Sequence, residues 1–257
     1  MKEDYQEFLD VALSAVKKAE SVFVKHFGNP PGVTKKNDIS QSLVSDIDIE
    51  IEHIITKALL EHFPTHSIVG EELPNQRHSG SYCWFIDPID GTQNYIHGLP
   101  PASISVALWK DNVPLIGIVS DPIQSVLYSA VSGEGATKNG RAITVSSKRT
   151  LGESFGTIAR VETLAELPEI QRVVSAAYRS RSMGGSALEL SYIAEGKLDF
   201  QVSERIKIYD VAAAILILQE AGGKVSLWNG GQFTPESKQI VSSNGKVHEE
   251  ILNYLKS

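Results

Sequence analysis

Two aspartates three residues apart, Asp87 and Asp90, have the type and spacing that most clearly allow chemistry. They lie within Trp84-Phe85-Ile86-Asp87-Pro88-Ile89-Asp90-Gly91-Thr92-Gln93-Asn94-Tyr95. The apolar run predicts a buried strand that ends at Asp87, because Pro88 cannot continue it, and Asp90-Gly91-Thr92 predicts a helix start. Carboxylates bind hard cations, and free amides at a helix start bind anions. The stretch therefore predicts a site for divalent metal and phosphate together, as metal-assisted phosphate chemistry requires.

The composition argues against several other functions. The chain has 257 residues, 42% hydrophobic and 21% charged, which is typical of a soluble protein with one large domain or two closely joined halves. A formal net charge of −7 without a basic run argues against binding to nucleic acid or to an anionic membrane. No apolar run approaches membrane-spanning length, and Met1 leads into a charged amphipathic segment rather than a signal peptide. The single cysteine, Cys83, predicts a small buried side chain and a cytoplasmic protein.

The first half contains the elements that must position the two aspartates. Periodicity predicts a helix over 3–27, and the polar stretch 31–44 predicts a mobile connection that could close over a site. A second helix begins at Ser45-Asp46-Ile47-Asp48, and a short strand, Ser67–Gly70, leads into Glu71-Glu72. After the central stretch, hairpins are predicted with strands at Ser103–Trp109, Val113–Ser120, Val126–Val131 and Ala136–Lys138.

The acids outside the central stretch each have an ordinary structural explanation. Ser45 and Asp48 match a capping box, in which the two side chains bond the first amides of the helix. The stretch Asp46-Ile47-Asp48-Ile49-Glu50 faintly resembles a calcium loop, but the glycine required at the sixth position of that loop is absent, so a calcium loop is rejected. Asp46, Glu50 and Glu72 are interpreted as solvated surface charges.

The second half alternates strands and helices. Strands are predicted at 154–159, 198–202, 224–228 and 239–243, and helices at 166–177, 186–195, 211–221 and 247–256. Asp210 is predicted to be the N-cap of the third of these helices, directly before an Ala-rich apolar run. Gly184-Gly185-Ser186 begins another helix and predicts a second cluster of anion-binding amides.

Taken together, these segments resemble the inositol monophosphatase family, within the wider group that includes fructose bisphosphatases. The matching motifs are Leu43-Val44-Ser45-x-x-Asp48, Gly70-Glu71-Glu72, the stretch Trp84–Tyr95 and Tyr209-Asp210-Val211-Ala212-Ala213, in the family's order and over essentially the whole chain. The resemblance implies a layered α/β fold, an αβαβα sandwich. It also implies a half at 1–150 that carries most metal ligands and a half at 151–257 that supplies Asp210 and substrate contacts.

The resemblance also assigns roles to individual residues. The metal ligands it implies, for two or possibly three Mg²⁺ ions, are Glu71, Asp87, the Ile89 carbonyl, Asp90 and Asp210. Glu71 and Thr92 would orient the attacking water, with Thr92 relaying its proton and Asp48 acting from nearby. The expected substrate contacts are Asp90, Gly91, Thr92 and Asp210 of the implied site, to which the residues themselves add Gly185 and Ser186 at the second helix start and Arg205. The reaction implied is direct hydrolysis of a phosphomonoester without a covalent phosphoenzyme, together with lithium sensitivity and a homodimer.

The substrate is less well defined than the reaction. Inositol-selective relatives usually carry a glutamate seven residues before the second-half aspartate, and this chain has Ser203 there, with Tyr209 in place of the commoner tryptophan. Arg205 is equally well interpreted as a ligand of a second phosphate or as a solvated cation. Inositol 1-phosphate is the expected substrate, and fructose 1,6-bisphosphate is the alternative.

Two other classes of protein were weighed. A haloacid-dehalogenase-type phosphatase uses Asp-x-Asp-x-Thr with a nucleophilic aspartate, whereas this chain has Asp-x-x-Asp-Gly-Thr far from its N-terminus. A regulatory protein on the same scaffold would be expected to have lost metal carboxylates, and this sequence retains them. The sequence therefore favours a metal-dependent phosphatase.

Overall fold

The computed structural model describes residues 5–36, 43–158 and 166–256. Its helices are α1 (Gln6–His26), α2 (Asp46–His62), α3 (Thr92–Ile96), α4 (Pro168–Ala176), α5 (Ser186–Ala194), α6 (Ile208–Glu220) and α7 (His248–Lys256). Its strands are β1 (Thr34–Lys35), β2 (Leu43–Val44), β3 (Ser67–Gly70), β4 (Tyr82–Asp90), β5 (Ser103–Lys110), β6 (Val113–Asp121), β7 (Val126–Val131), β8 (Gly135–Lys138), β9 (Arg141–Ala142), β10 (Phe155–Ile158), β11 (Arg179–Arg181), β12 (Phe200–Glu204), β13 (Lys224–Ser226) and β14 (Gln239–Ser243).

The strands form two large sheets, and β1 pairs with β2 separately. The first sheet has the order β3-β4-β5-β6-β7-β8-β9, in which only β3 and β4 are parallel. The second has the order β11-β10-β12-β14-β13, in which β10 runs parallel to both of its neighbours. The central strands of both sheets, such as β5 and β12, are buried on both faces, so helices must cover both sides.

Three hydrophobic clusters give the order of the layers. One joins α1 and α2 to the first sheet, a second packs α5 and α6 against the other face of that sheet, and a third joins α4 and α7 to the second sheet. Helix α5 also contacts β12 and β14 of the second sheet, so α5 and α6 form the middle layer. The predicted layered α/β fold, with five alternating layers, is therefore confirmed. In the described part of the chain, no helix is long and apolar enough to cross a membrane.

Most predicted elements are present, with shifted ends. The first helix is shorter than the predicted 3–27, and residues 3 and 4 lie outside the described residues. The predicted connection 31–44 falls partly on residues 37–42, which also lie outside them, while its two ends pair as β1 and β2. The strand predicted at 198–202 lies at Phe200–Glu204.

Two boundaries near the candidate site were predicted wrongly. Strand β4 does not end at Asp87 but continues through Pro88 to Asp90, because a register shift between these aspartates accommodates the proline before pairing resumes at Ser103. Helix α6 begins at Ile208, so Asp210 lies in its first turn and is not the N-cap. Its carboxylate nevertheless accepts the backbone amide of Lys207, the N-cap residue, at 2.8 Å. This is the bond that the third residue of a helix makes in a capping box.

Candidate active site

The irregular end of β4 places Asp87 and Asp90 inside the protein. Asp87 is 2% exposed and Asp90 is 6% exposed. The Ile89 amide donates to Asp87 Oδ1 at 3.1 Å, which closes a tight local turn across Pro88. Gly91 follows with φ +85°, a left-handed conformation that favours glycine, and caps the short helix α3. The predicted turn into a helix at Asp90-Gly91-Thr92 is therefore present.

The carboxylate of Asp90 binds the N-terminus of α5 from the second half. Its Oδ1 accepts the Ser186 amide at 3.0 Å, and its Oδ2 accepts the Ala187 amide at 2.9 Å. The sequence predicted a second cluster of anion-binding amides at Gly184-Gly185-Ser186. Two of these amides bind carboxylates of the protein itself, since Gly184 donates to Glu189 and Ser186 donates to Asp90, at the position where the helix dipole favours a negative charge. The role of Gly185 and Ser186 in binding substrate stays a prediction.

The end of β3 leads into Glu71 and Glu72, and both carboxylates bind the Lys36 ammonium group at 2.5 Å. Glu72 was predicted to be a solvated surface charge, which is wrong: its side chain is 8% exposed. Burial raises the pKa of Glu72 to about 7, although the hydrogen bond from Lys36 opposes this rise. Lys36 thus neutralises part of a dense group of acids.

The four acids Glu71, Asp87, Asp90 and Asp210 affect one another electrostatically. Burial raises the pKa of Asp87 well above its ordinary value, and the charges of Glu71, Asp90 and Asp210 raise it further. Burial and the charge of Asp210 likewise raise the pKa of Asp90. Burial also raises the pKa of Asp210 to about 7, with a further contribution from the charge of Glu71. Acids from three separated segments therefore lie close enough to affect one another, and Lys36 offsets only part of their negative charge.

Asp48 and Thr92 meet beside this group. The predicted capping box is confirmed: Asp48 Oδ2 accepts the Ser45 amide at 2.9 Å and the Ser45 hydroxyl at 2.5 Å. The Thr92 hydroxyl lies 3.0 Å from the Ile89 carbonyl oxygen and 3.5 Å from Asp48 Oδ1. Because burial raises the pKa of Asp48, this carboxylate is a better proton acceptor than a solvated aspartate.

Sequence reasoning missed a buried glutamate on α2. Glu52 is 1% exposed, and its carboxylate accepts the amides of Glu72 at 2.8 Å and Leu73 at 2.9 Å. It therefore fixes the backbone immediately after Glu71. A signal was present, since Asp48, Glu52 and Thr56 recur every four residues and place polar groups on the buried face of an amphipathic helix.

Asn94 was also overlooked. Its Nδ2 donates to the Pro101 carbonyl at 2.8 Å and to the Met183 carbonyl at 2.7 Å, so one side-chain amide joins α3 to the segment before α5. No local sequence pattern indicates such a bond, because its partners lie 7 and 89 residues away.

The predicted substrate residues of the second half are less closely grouped. Arg205 is 63% exposed and pairs with Glu166 at 3.1 Å and Glu204 at 3.3 Å. Ser203 is fully buried in β12, and its hydroxyl has no hydrogen-bond partner within the described residues. The phosphate-binding role of Arg205 stays a prediction.

A model of the inositol monophosphatase family matches residues 4–257. The chain belongs to this family. A relative from Thermotoga maritima, named fructose-1,6-bisphosphatase/inositol-1-monophosphatase, is 34% identical over 95% of this chain and 94% of its own length. The Nus factor SuhB of Pasteurella multocida is 33% identical over 95% and 94%. A solved structure of the Thermotoga maritima IMPase superposes with a TM-score of 0.89 at 33% identity, covering 97% of both chains.

Members of the inositol monophosphatase family generally depend on Mg²⁺. The carboxylates described above fit this ion in chemistry and charge, since hard oxygen donors and uncompensated negative charge are what Mg²⁺ requires. Across residues 5–36, 43–158 and 166–256, no three Asp, Glu, His or Cys side chains are already arranged to hold a metal ion. In this structure Lys36 binds Glu71, and the α5 amides bind Asp90.

Proposed function

We propose that this protein is a magnesium-dependent phosphomonoesterase that releases phosphate from a small polyol or sugar phosphate, with inositol 1-phosphate as the main substrate. One observation carries this proposal: Asp87 is buried among the negative charges of Glu71, Asp90 and Asp210, which raise its pKa. At neutral pH, such a group of buried acids must either bind protons, as the raised pKa values allow, or bind a cation that offsets its negative charge. Its position beside the start of α3, where a phosphate can be held, makes metal-assisted phosphate chemistry the best explanation.

The proposed ligands of magnesium are five oxygen-bearing groups: Glu71, Asp87, the Ile89 carbonyl, Asp90 and Asp210. Magnesium bound by these groups would supply Lewis-acid activation of water and neutralisation of phosphate charge. Two ions are proposed, and a third near Glu71 is consistent with the family. Lithium sensitivity belongs to the same proposal. In it, residues 1–150 carry most of the ligands and residues 151–257 supply Asp210 and substrate contacts.

The residues beside this group handle the attacking water and its proton. Glu71 and the Thr92 hydroxyl orient the water for attack in line with the leaving alcohol. Thr92 accepts the water's proton as it passes its own to Asp48, whose Oδ1 lies 3.5 Å away. As the water oxygen bonds to phosphorus, the ester P–O bond breaks and the departing alcohol takes a proton from a second water, so no covalent bond forms between the phosphate and the protein.

Substrate contacts are proposed on both sides of the acids. The amides of Gly91 and Thr92 hold the phosphate, while Asp90, Asp210, Gly185 and the Ser186 hydroxyl face the alcohol. The Ser186 amide is assigned to Asp90 rather than to substrate, since it already donates to that carboxylate.

Fructose 1,6-bisphosphate is the alternative substrate, and one position favours it. Ser203 replaces the glutamate that inositol-selective relatives usually carry, and it is buried, so this position offers no carboxylate to ring hydroxyls. The name of the Thermotoga maritima relative covers both activities. Arg205 would bind the second phosphate, which requires it to leave Glu166 and Glu204.

Phosphate release by the purified protein tests the proposal. The substrates are inositol 1-phosphate, fructose 1,6-bisphosphate, adenosine 3′,5′-bisphosphate and histidinol phosphate, each with Mg²⁺ and with EDTA. We expect release that requires Mg²⁺, is inhibited by Li⁺ and is greatest with inositol 1-phosphate. An R205M variant separates the two substrates, because it should impair only hydrolysis of the bisphosphate. Release that persists in EDTA would overturn the proposal.

Two further measurements address the other classes of protein. Trapping with beryllofluoride detects an aspartyl phosphate enzyme, and we expect none, in contrast to a haloacid-dehalogenase-type phosphatase. Absence of hydrolysis with every substrate would instead favour a regulatory protein on this scaffold, a possibility consistent with the relatives named SuhB. The proposal also includes a cytoplasmic homodimer without nucleic-acid binding, which sedimentation with and without RNA would test.

A further inference from the structure

Glu189, in the first turn of α5, is a buried carboxylate to which the proposed reaction assigns no role. It is 1% exposed, and both of its oxygens are bonded. Oε1 accepts the Gly184 amide at 3.0 Å, and Oε2 accepts Gln201 Nε2 at 2.6 Å. A carboxyl group this deeply buried is costly unless hydrogen bonds satisfy its oxygens, and these two bonds do so while they connect Gly184 to Gln201.

The bonds of Glu189 hold the segment that binds Asp90. Gly184 lies two residues before Ser186, the first residue of α5, and the amides of Ser186 and Ala187 both donate to Asp90. Glu189 and Asp90 therefore share one helix N-terminus, where each takes different amides. This division leaves Asp90 with two consecutive amides, one for each of its oxygens.

Close packing makes the position of this segment critical. A Cβ on Gly185 would lie 3.3 Å from Asp90 Oδ2 and 3.2 Å from the Pro101 carbonyl oxygen, so the backbone approaches the first half directly. On the side of the first half, Asn94 donates to the Met183 carbonyl. On the side of the second sheet, Glu189 accepts the Gly184 amide and also bonds Gln201 of β12.

We propose that Glu189 is a positioning residue: by anchoring Gly184 to Gln201 it sets the N-terminus of α5, and so fixes the orientation in which Asp90 is presented to its metal ion. The part concerning metal rests on the proposed function. The part concerning α5 rests only on the hydrogen bonds. Glu189 itself touches neither substrate nor metal in this scheme.

Three variants separate anchoring from general stability. E189M keeps the length of the side chain but removes both acceptors, whereas E189Q keeps an acceptor for Gly184. In E189Q, Gln201 can turn its amide to accept from the new side chain, because Gln201 Oε1 is buried and has no hydrogen-bond partner within the described residues. D199L is the matched control, since Asp199 is another buried carboxylate and bonds Phe155 and Ser146, away from α5.

Hydrogen exchange of metal-free protein is the first readout. In E189M we expect exchange over residues 183–190 to be at least about tenfold faster than in the unmodified protein, with no change over 212–218 in α6. E189Q should stay within about threefold of the unmodified protein, and D199L should leave 183–190 unchanged. Equal exchange in E189M and the unmodified protein would overturn the role of Glu189. If E189M does not fold, Q201M, which removes only the outer anchor, should show the same change at smaller size.

Magnesium binding measured by calorimetry without substrate is the second readout. We expect E189M to weaken binding at least about fivefold, and E189Q and D199L to stay within about twofold. Unmodified protein that neither binds Mg²⁺ nor releases phosphate would refute the proposed function, while the exchange data would still decide whether Glu189 anchors α5. The unmodified protein could instead both bind Mg²⁺ and release phosphate. If E189M then binds Mg²⁺ as tightly as D199L does, only the link from Glu189 to the metal is refuted.

Discussion

The carboxylate of Asp90, at the end of a strand in the first sheet, accepts the amide of Ala187, in the first turn of a helix between the two sheets, at 2.9 Å. The adjacent Ser186 amide bonds its other oxygen at 3.0 Å. Asp90 is thus the last residue of β4, the acceptor for two amides at the N-terminus of α5, and a member of the proposed metal site. The halves of the chain are joined at the position where the chemistry is proposed.

Replacement of Asp90 by asparagine tests the role of this acid. D90N keeps one oxygen that can accept an α5 amide but removes the negative charge, so we expect turnover to fall by roughly 10³-fold or more while the fold is kept. Phosphate release and circular dichroism are the measurements. D46N is the matched control, because Asp46 is an exposed acid near the start of α2 and its loss should leave turnover unchanged. Retained activity in D90N would defeat its assignment as a ligand.

Lys36 gives a prediction about the protein without metal. Its ammonium group binds Glu71 and Glu72 at 2.5 Å, so K36M leaves these acids to repel one another and the melting temperature should fall by about 3–6 °C. Mg²⁺ can replace the lost positive charge, and its addition should therefore raise the melting temperature of K36M more than that of the unmodified protein. Differential scanning fluorimetry with and without Mg²⁺ measures both effects.

The neighbouring Lys35 provides the control for K36M. Lys35 is exposed, and K35M removes the same charge one residue away. We expect K35M to melt like the unmodified protein under both conditions. If Mg²⁺ stabilises K36M and K35M equally, Glu71 does not lie at a metal site.

Local sequence patterns were sufficient for the parts of the site that local physics decides. The strand before Asp87, the helix start after Asp90 and the pairing of Ser45 with Asp48 are each set by neighbours within a few residues. The spacing of apolar residues likewise predicted most helices and strands, because each element must bury one apolar face and that face sets the spacing. The layered arrangement came from resemblance to a family rather than from the patterns.

The contacts that assemble the site could not be predicted in this way. Asp90 and Ser186 are 96 residues apart, and an amide at a helix start carries no mark of the acid that binds it. Glu72 was misinterpreted for the same reason, since its burial depends on Lys36 from another segment. Pro88 was expected to end β4 because a proline removes one ladder bond, but a local register shift accommodates it.

The stability of the fold is expected to depend on the side-chain amide of Asn94. N94D replaces the donor that bonds Pro101 and Met183 with a second oxygen, which would face two carbonyl oxygens. We expect the free energy of unfolding to fall by about 2–4 kcal/mol, because two partly buried acceptors lose their partner and a charge is introduced. Urea denaturation measures this loss. N229D is the control: Asn229 uses its oxygen to accept the Gly231 amide, and aspartate can do the same.

The last prediction concerns a buried histidine far from the acids. His248 is fully buried, with Nε2 2.8 Å from the Ser226 hydroxyl oxygen and Nδ1 2.9 Å from that of Ser243. Ser226 donates its own proton to the Leu227 carbonyl, so it accepts from Nε2, and Nδ1 must accept from Ser243. A second ring proton, on Nδ1, would displace the bond that Ser243 donates to this nitrogen, which agrees with a pKa that burial lowers to about 4.

A lowered pKa fixes the sign of the pH dependence at His248. Between pH 6.5 and 4 the unfolded chain binds a proton that the folded protein does not, so the stability present above pH 6.5 is lost as the pH falls through this window. The loss attributable to this residue is about 3 kcal/mol. Urea denaturation at pH 7 and pH 4.5 should therefore show a smaller difference for H248Q than for the unmodified protein. Because glutamine does not titrate, an equal difference in both proteins would show that other groups determine the acid sensitivity.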